Sequence, residues 1–296
     1  MKNFIIPLLV VLMSENSANA QPDTEPVGVG NLLKIVGPVA QFEFDNSSTY
    51  IWSPDNIKLP PIMIYAHGGA GYRNSDQVRV SIFRDEGFAT ISFDAYEAND
   101  FNDWKWVNRR ITNKSKQKMI FGLLSGAYRY ALKRKDWDTK NVFLFGQSNG
   151  GRVVVAAQSA LKPVDNIRGI IAEGMATVGM QLSKCIIPTF LAYGERDNWG
   201  SFRVDTTMYA RPQKFITGLP NSTVLPSIQR WTKTQNKEGC PINLKLYKEA
   251  GHSFHFGSLE TFNRRSDIEW YIGAEESALE KYENDITDFI KKHLKK

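Results

Sequence analysis

The sequence predicts an α/β protein, a mostly parallel sheet with helices on both faces. From residue 60 onward, short apolar runs alternate with longer amphipathic stretches, the pattern of strands buried on both faces and the helices that cover them. A Gly-x-Ser-x-Gly also stands between one apolar run and the next helix-compatible stretch, the place such a turn occupies in an α/β sheet. The composition agrees: 296 residues, 42% hydrophobic and 23% charged, is an ordinary globular balance and excludes a disordered or low-complexity chain.

Taken in order, residues 4–13 are apolar, too short a run to cross a bilayer as a helix of about 20 residues. Lys2 before them and Ala18-Asn19-Ala20 after them make the charged, apolar and small-residue zones of a secretory signal peptide. Cleavage is expected after Ala20, leaving a single domain over 21–296, exported to a periplasm or the outside. A strand pair is expected within 32–44. Further strands are expected at 61–66, 88–93, 142–145, 167–172, 186–193 and 242–247. A helix over 76–86 stops at Gly87. Met119, Ile120, Leu123, Leu124, Ala127, Tyr128, Ala131 and Leu132 fall on one face of a second helix, and residues 153–161 suit a third. Leu279, Tyr282, Ile286, Phe289 and Ile290 mark the buried face of a last one.

Two stretches, 94–112 and 201–239, carry no regular pattern, and both follow the carboxyl end of a strand. Ligands bind at that edge of an open α/β sheet, so Trp104, Trp106 and Trp199 are expected to line the substrate groove. The net charge of +6 is dispersed apart from Lys291, Lys292, Lys295 and Lys296, which complement the dipole of the terminal helix. No nucleic-acid partner, membrane span or obligate protein partner is expected.

The chemistry centres on Gly146-Gln147-Ser148-Asn149-Gly150-Gly151. Glycines two before and two after the serine permit a sharp turn that presents Ser148 as a nucleophile, and the following helix points its positive end at developing negative charge. A serine nucleophile needs a base and an acid that orients it, in the order Ser, Asp or Glu, His. Asp197 and His252 supply them, each just past a predicted strand. His255 is the competing base and Glu173 the competing acid, while His67 and Asp94 are expected to be structural. The oxyanion hole is expected from the N–H groups of Asn149 and of Gly69, or of Ala70, in the loop His67-Gly68-Gly69-Ala70-Gly71.

Cys185 lies twelve residues before Asp197, and Cys240 twelve before His252. Equal offsets on neighbouring parallel strands put both near the amino ends at one level, so a disulfide is expected in an oxidising compartment. No CxxC, His/Cys cluster or H-E-x-x-H occurs, and neither a metal nor a cofactor is expected.

The Gly146–Gly150 motif, the His67-Gly68-Gly69 loop, Asp197 after a Gly-x-x-Asp turn and His252 before Ser253-Phe254 resemble the dienelactone hydrolase family over about residues 50 to 296. The resemblance implies an eight-stranded α/β-hydrolase domain without a cap, acting on an ester or lactone. The enzymes that name the family carry a cysteine nucleophile. Ser148 stands here instead, and the expectation is an exported serine carboxylesterase acting on a small or polymer-derived ester. A prolyl-oligopeptidase-like peptidase and a non-catalytic binding protein are the alternatives.

Overall fold

The computed structural model describes residues 48–101, 103, 107, 110–177, 180–182, 185–197, 224–265 and 268–295. The expected signal peptide, the strand pair at 32–44, and Trp104, Trp106 and Trp199 lie outside them.

In chain order the elements are β1 (Thr49–Trp52), β2 (Ile62–Ala66), α1 (Asn74–Asp85), β3 (Ala89–Phe93), α2 (Asn113–Lys133), β4 (Val142–Gln147), α3 (Asn149–Ala157), β5 (Ile167–Glu173), β6 (Thr189–Gly194), α4 (Val224–Lys237), β7 (Ile242–Tyr247), β8 (Glu260–Arg265), β9 (Ile268–Ile272) and α5 (Glu276–His293). One sheet runs β1-β3-β2-β4-β5-β6-β7, and β8 pairs with β9 in a separate hairpin. Only β1 is antiparallel to its neighbour in the large sheet.

Alternation along β2 shows how the core is divided. Ile62, Ile64 and Ala66 face a cluster that includes Ile120 and Leu124 of α2, Val153 and Val154 of α3, and Ile228 of α4. Met63 and Tyr65 face the opposite cluster, with Val80 and Phe83 of α1 and Tyr282 and Ile286 of α5. Both sheet faces are covered, which explains why the strands read as unbroken apolar runs. Local signals set the helix ends. Thr112 accepts the Ser115 N–H at the start of α2, and Gly87 turns the chain out of α1 with φ of 83°.

Three expectations are corrected. Seven strands are described in the sheet where eight were expected: the six expected between 61 and 247, and β1 at Thr49–Trp52, which was not expected, while the expected pair at 32–44 lies outside the described residues. The stretch 201–239 contains α4, whose buried stripe is Ile228, Thr232 and Gln235. Two of those three positions are polar, so the stripe escapes a hydrophobic reading; Gln235 Oε1 accepts the Leu182 N–H at 3.2 Å, and Trp231 donates to the Met180 carbonyl at 2.7 Å. The β8–β9 hairpin was not expected at all. Backbone bonds tie it to the chain after β7, a tertiary contact that no local pattern announces. No helix among the described residues is long and apolar enough to cross a membrane.

The cysteines are joined as expected, with Cα atoms 4.9 Å apart. Strands β6 and β7 are parallel neighbours, and Thr189 pairs with Ile242. Cys185 lies before the first of these residues and Cys240 before the second, at the amino ends of both strands.

Candidate active site

The turn from β4 to α3 holds Ser148 at φ 53° and ψ −113°, a region that non-glycine residues rarely occupy. Close packing enforces it. A Cβ at Gly150 would collide with the Ala66 and His67 carbonyls, so the helix can start hard against β2 only with glycine there. The Ser148 N–H donates to the Glu173 carbonyl at 2.8 Å, and the Ser148 carbonyl accepts the Arg152 N–H at 3.1 Å. The turn is thus anchored to β5 on one side and to its own helix on the other.

Asp197 and His252 meet directly: Asp197 Oδ2 lies 2.9 Å from His252 Nδ1, with the two residues 1% and 7% exposed. A carboxylate only accepts, so Nδ1 carries the proton and Nε2 presents the lone pair. Their loops are stitched together by the backbone. The Arg196 N–H donates to the Ala250 carbonyl and the Glu195 N–H to the Tyr247 carbonyl. The hairpin closes the far side, where the His252 N–H donates to the Tyr271 carbonyl at 2.8 Å and the Gly273 N–H returns to the His252 carbonyl at 3.0 Å.

The loop after β2 lies against the Ser148 turn. A Cβ at Gly68 would stand 3.4 Å from Ser148 Cβ, and one at Gly69 would stand 2.9 Å from Asn149 Nδ2. Three of its carbonyls are engaged: Gly68 O by His67 Nδ1 at 2.7 Å, Gly69 O by the Tyr96 hydroxyl at 3.1 Å, and Ala70 O by Arg73 at 2.7 and 3.0 Å. In a trans peptide the N–H points away from the preceding carbonyl, so these bonds also fix the Gly69 and Ala70 N–H directions. The Asn149 N–H belongs to the first turn of α3, which has no intrahelical acceptor for it. The Asn149 side chain is held by Gln117 at 3.2 Å and Asn113 at 3.3 Å.

The competing residues serve elsewhere. Glu173 is fully buried in an ion pair with Arg79, at 2.9 and 3.2 Å, and also accepts from the Tyr282 hydroxyl and the Phe254 N–H. Burial alone would raise its pKa. The Arg79 charge and hydrogen bonds outweigh that effect and hold the carboxyl below its ordinary value. His255 turns toward Glu283 of α5, 3.0 Å away. His67 accepts the Ala95 N–H at 2.9 Å, and Asp94 caps the Tyr72, Tyr96 and Glu97 N–H groups, both structural as expected. In α3, burial lowers the Arg152 pKa to about 10, which leaves it charged at neutral pH, and Arg152 Nη1 donates to the Ala176 carbonyl.

Two residues at the site escaped the sequence reading. Gln147 Nε2 lies 3.2 Å from His252 Nε2, so the amide can donate to the lone pair that a base would use. Gly174, at φ 58°, packs under Asp197 and His252; a Cβ there would lie 3.0 Å from His252 Nδ1 and 3.2 Å from Asp197 Oδ2. The position of Gln147 inside the motif was a signal for the first, and only the fold could reveal the second.

No protein-family model and no curated protein matches the chain. Solved structures do. A protein of Klebsiella pneumoniae subsp. pneumoniae assigned as a dienelactone hydrolase superposes with a TM-score of 0.55 at 14% identity, over 82% of this chain and 91% of that one. The dienelactone hydrolase of Anabaena variabilis gives 0.51 at 17% identity, over 83% and 92%. Thermogutta terrifontis esterase 2, phosphonylated by cyclosarin, gives 0.53 at 12% identity, over 82% and 88%. The sheet order, the turn at Ser148 and these superpositions agree: the chain has the α/β-hydrolase fold, shared with dienelactone hydrolases and esterases.

Proposed function

We propose that this protein is an exported serine hydrolase that cleaves a carboxylic ester or lactone through Ser148, His252 and Asp197. The observation that carries the reading is the 2.9 Å contact between Asp197 and His252 Nδ1, at the sheet edge where Ser148 occupies its strained turn. In this reaction His252 Nε2 takes the Ser148 proton as Oγ attacks the ester carbonyl. Asp197 holds the tautomer and stabilises the imidazolium. The N–H groups of Asn149 and Gly69 receive the oxyanion. Collapse of the tetrahedral intermediate breaks the bond to the alcohol, which leaves with the proton from His252. Water then attacks the acyl-serine with His252 again as base, releasing the acid and restoring Ser148. Gln147 must yield His252 Nε2 to Ser148 before the first proton transfer. The signal peptide at 1–20 delivers the chain to an oxidising compartment, and Trp104, Trp106 and Trp199 are the proposed groove residues.

One experiment tests the reading. Protein recovered from the exported fraction is assayed on short and long p-nitrophenyl esters, labelled with a fluorophosphonate and mapped by mass spectrometry, beside Ser148→Ala. The expected outcome is a chain beginning at Gln21, label on Ser148, and turnover reduced at least about 1,000-fold in the variant. Turnover unchanged in Ser148→Ala sinks the nucleophile; an N-terminus at Met1 sinks the export. The Thermogutta esterase in its phosphonylated form is the precedent for the choice of probe.

A further inference from the structure

Beneath the site lies a fully buried charged cluster that the proposed reaction does not use. Arg79 of α1 donates from Nη2 to Glu173 Oε1 at 2.9 Å and to Ser253 Oγ at 2.7 Å, and from Nη1 to Asp76 Oδ1 at 3.1 Å. Glu173 Oε1 also accepts the Phe254 N–H at 3.1 Å, and Tyr282 of α5 donates to Oε2 at 2.8 Å. The Tyr65 hydroxyl completes the cluster at Asp76. Arg79 and Glu173 are each 0% exposed.

Resting on the hydrolase reading, we propose that the Arg79–Glu173 pair is a positioning unit that holds the His252 loop in register with the Ser148 turn. The contacts converge on the residues that matter. Ser253 and Phe254 directly follow His252, and the pair grips both. Ser253 is at φ 62°, a conformation a serine does not keep without anchoring. The same Glu173 receives the Ser148 N–H on its backbone carbonyl, and Gly174 beside it supports the His252–Asp197 contact. Nucleophile and base are therefore both referenced to one residue at the tip of β5.

Stability gives little reason for such a pair, because well-packed apolar residues often replace a buried ion pair without loss. Apolar side chains could not accept the Phe254 N–H or donate to Ser253.

The test compares Glu173→Gln and Ser253→Ala with the parent chain, reading ester kcat and KM, and by NMR the downfield His252 Nδ1–H resonance that reports the contact with Asp197. Glu173→Gln is expected to lower kcat on the order of 10-fold to 100-fold with KM within about 2-fold, and to shift or broaden the His252 Nδ1–H resonance as the contact with Asp197 loosens. Ser253→Ala, which keeps the ion pair, is expected to lower kcat less, by about 3-fold or more, again with KM retained. Unchanged kcat in the folded variants overturns the proposal, whatever happens to the melting temperature. If Glu173→Gln does not fold, Ser253→Ala decides on the same readouts. Absence of ester turnover in the parent chain sinks the hydrolase reading instead, and the His252 Nδ1–H resonance then decides the positioning role by itself: unchanged in Glu173→Gln, it overturns that role.

Discussion

A methyl group at position 174 would press on His252 Nδ1 and Asp197 Oδ2 together, at 3.0 and 3.2 Å, on a backbone at φ 58°. Glycine is required there for both reasons. Gly174→Ala is expected to cost about 1–3 kcal/mol of stability from the left-handed backbone alone. It should also depress kcat more than KM, because it pushes the acid and base apart. Urea denaturation and steady-state kinetics on the one variant check both; unaltered kcat would show that the acid and base tolerate displacement. At this scale the sequence was informative where chemistry imposes a motif. Ser148, Asp197 and His252 stand out from chain order and residue type, whereas Gln147, Gly174 and Arg79 matter through neighbours brought from distant parts of the chain.

Strands β6 and β7 are fastened twice, by backbone bonds just past their carboxyl ends and by Cys185–Cys240 at their amino ends. Strands of six residues separate the two fastenings by about 20 Å. The disulfide closes a loop of 55 residues, for which chain-entropy arguments give about 4 kcal/mol of stabilisation. Replacing both cysteines by serine is therefore expected to lower the melting temperature clearly while leaving kcat per folded molecule unchanged. Calorimetry with active-site titration by a fluorophosphonate checks this, and a large fall in kcat would mean that the fastening reaches the site. Among the elements, α4 and the β8–β9 hairpin were illegible. The first buries Thr232 and Gln235 where a hydrophobic stripe was sought, and the second owes its place to bonds with the His252 loop.

Across the whole molecule, the acidic limit of stability depends on carboxylates that folding has tuned. Glu173 and Asp285 both have pKa values below their ordinary ones. Burial opposes ionisation at each, and it is outweighed at Glu173 by Arg79 and at Asp285 by hydrogen bonds from Lys281 and Tyr247 and the Lys245 charge. A depressed carboxylate stabilises the fold above its unfolded pKa, near 4, and that contribution is lost as pH falls through the folded value. Stability is thus expected to be insensitive to these groups from pH 7 down to about 5 and to decline below about 4. Urea midpoints measured from pH 7 to 3 should fall less steeply in Glu173→Gln than in the parent chain. Identical slopes would mean that Glu173 is not a source of the acid sensitivity.

The sequence by itself determined the α/β class, the strand-turn-helix at Ser148, the placing of Asp197 and His252 just past two strands, and the pairing of two cysteines. These follow from local rules: apolar runs, glycine sterics and the offset of residues on adjacent strands. Tertiary structure decided the rest. It set Arg79, 94 residues away in the chain, against the Glu173 carboxylate and placed Asp197 against His252. It turned His255 to Glu283 of α5. Each of these contacts joins residues far apart in the chain, and only the folded chain sets those distances.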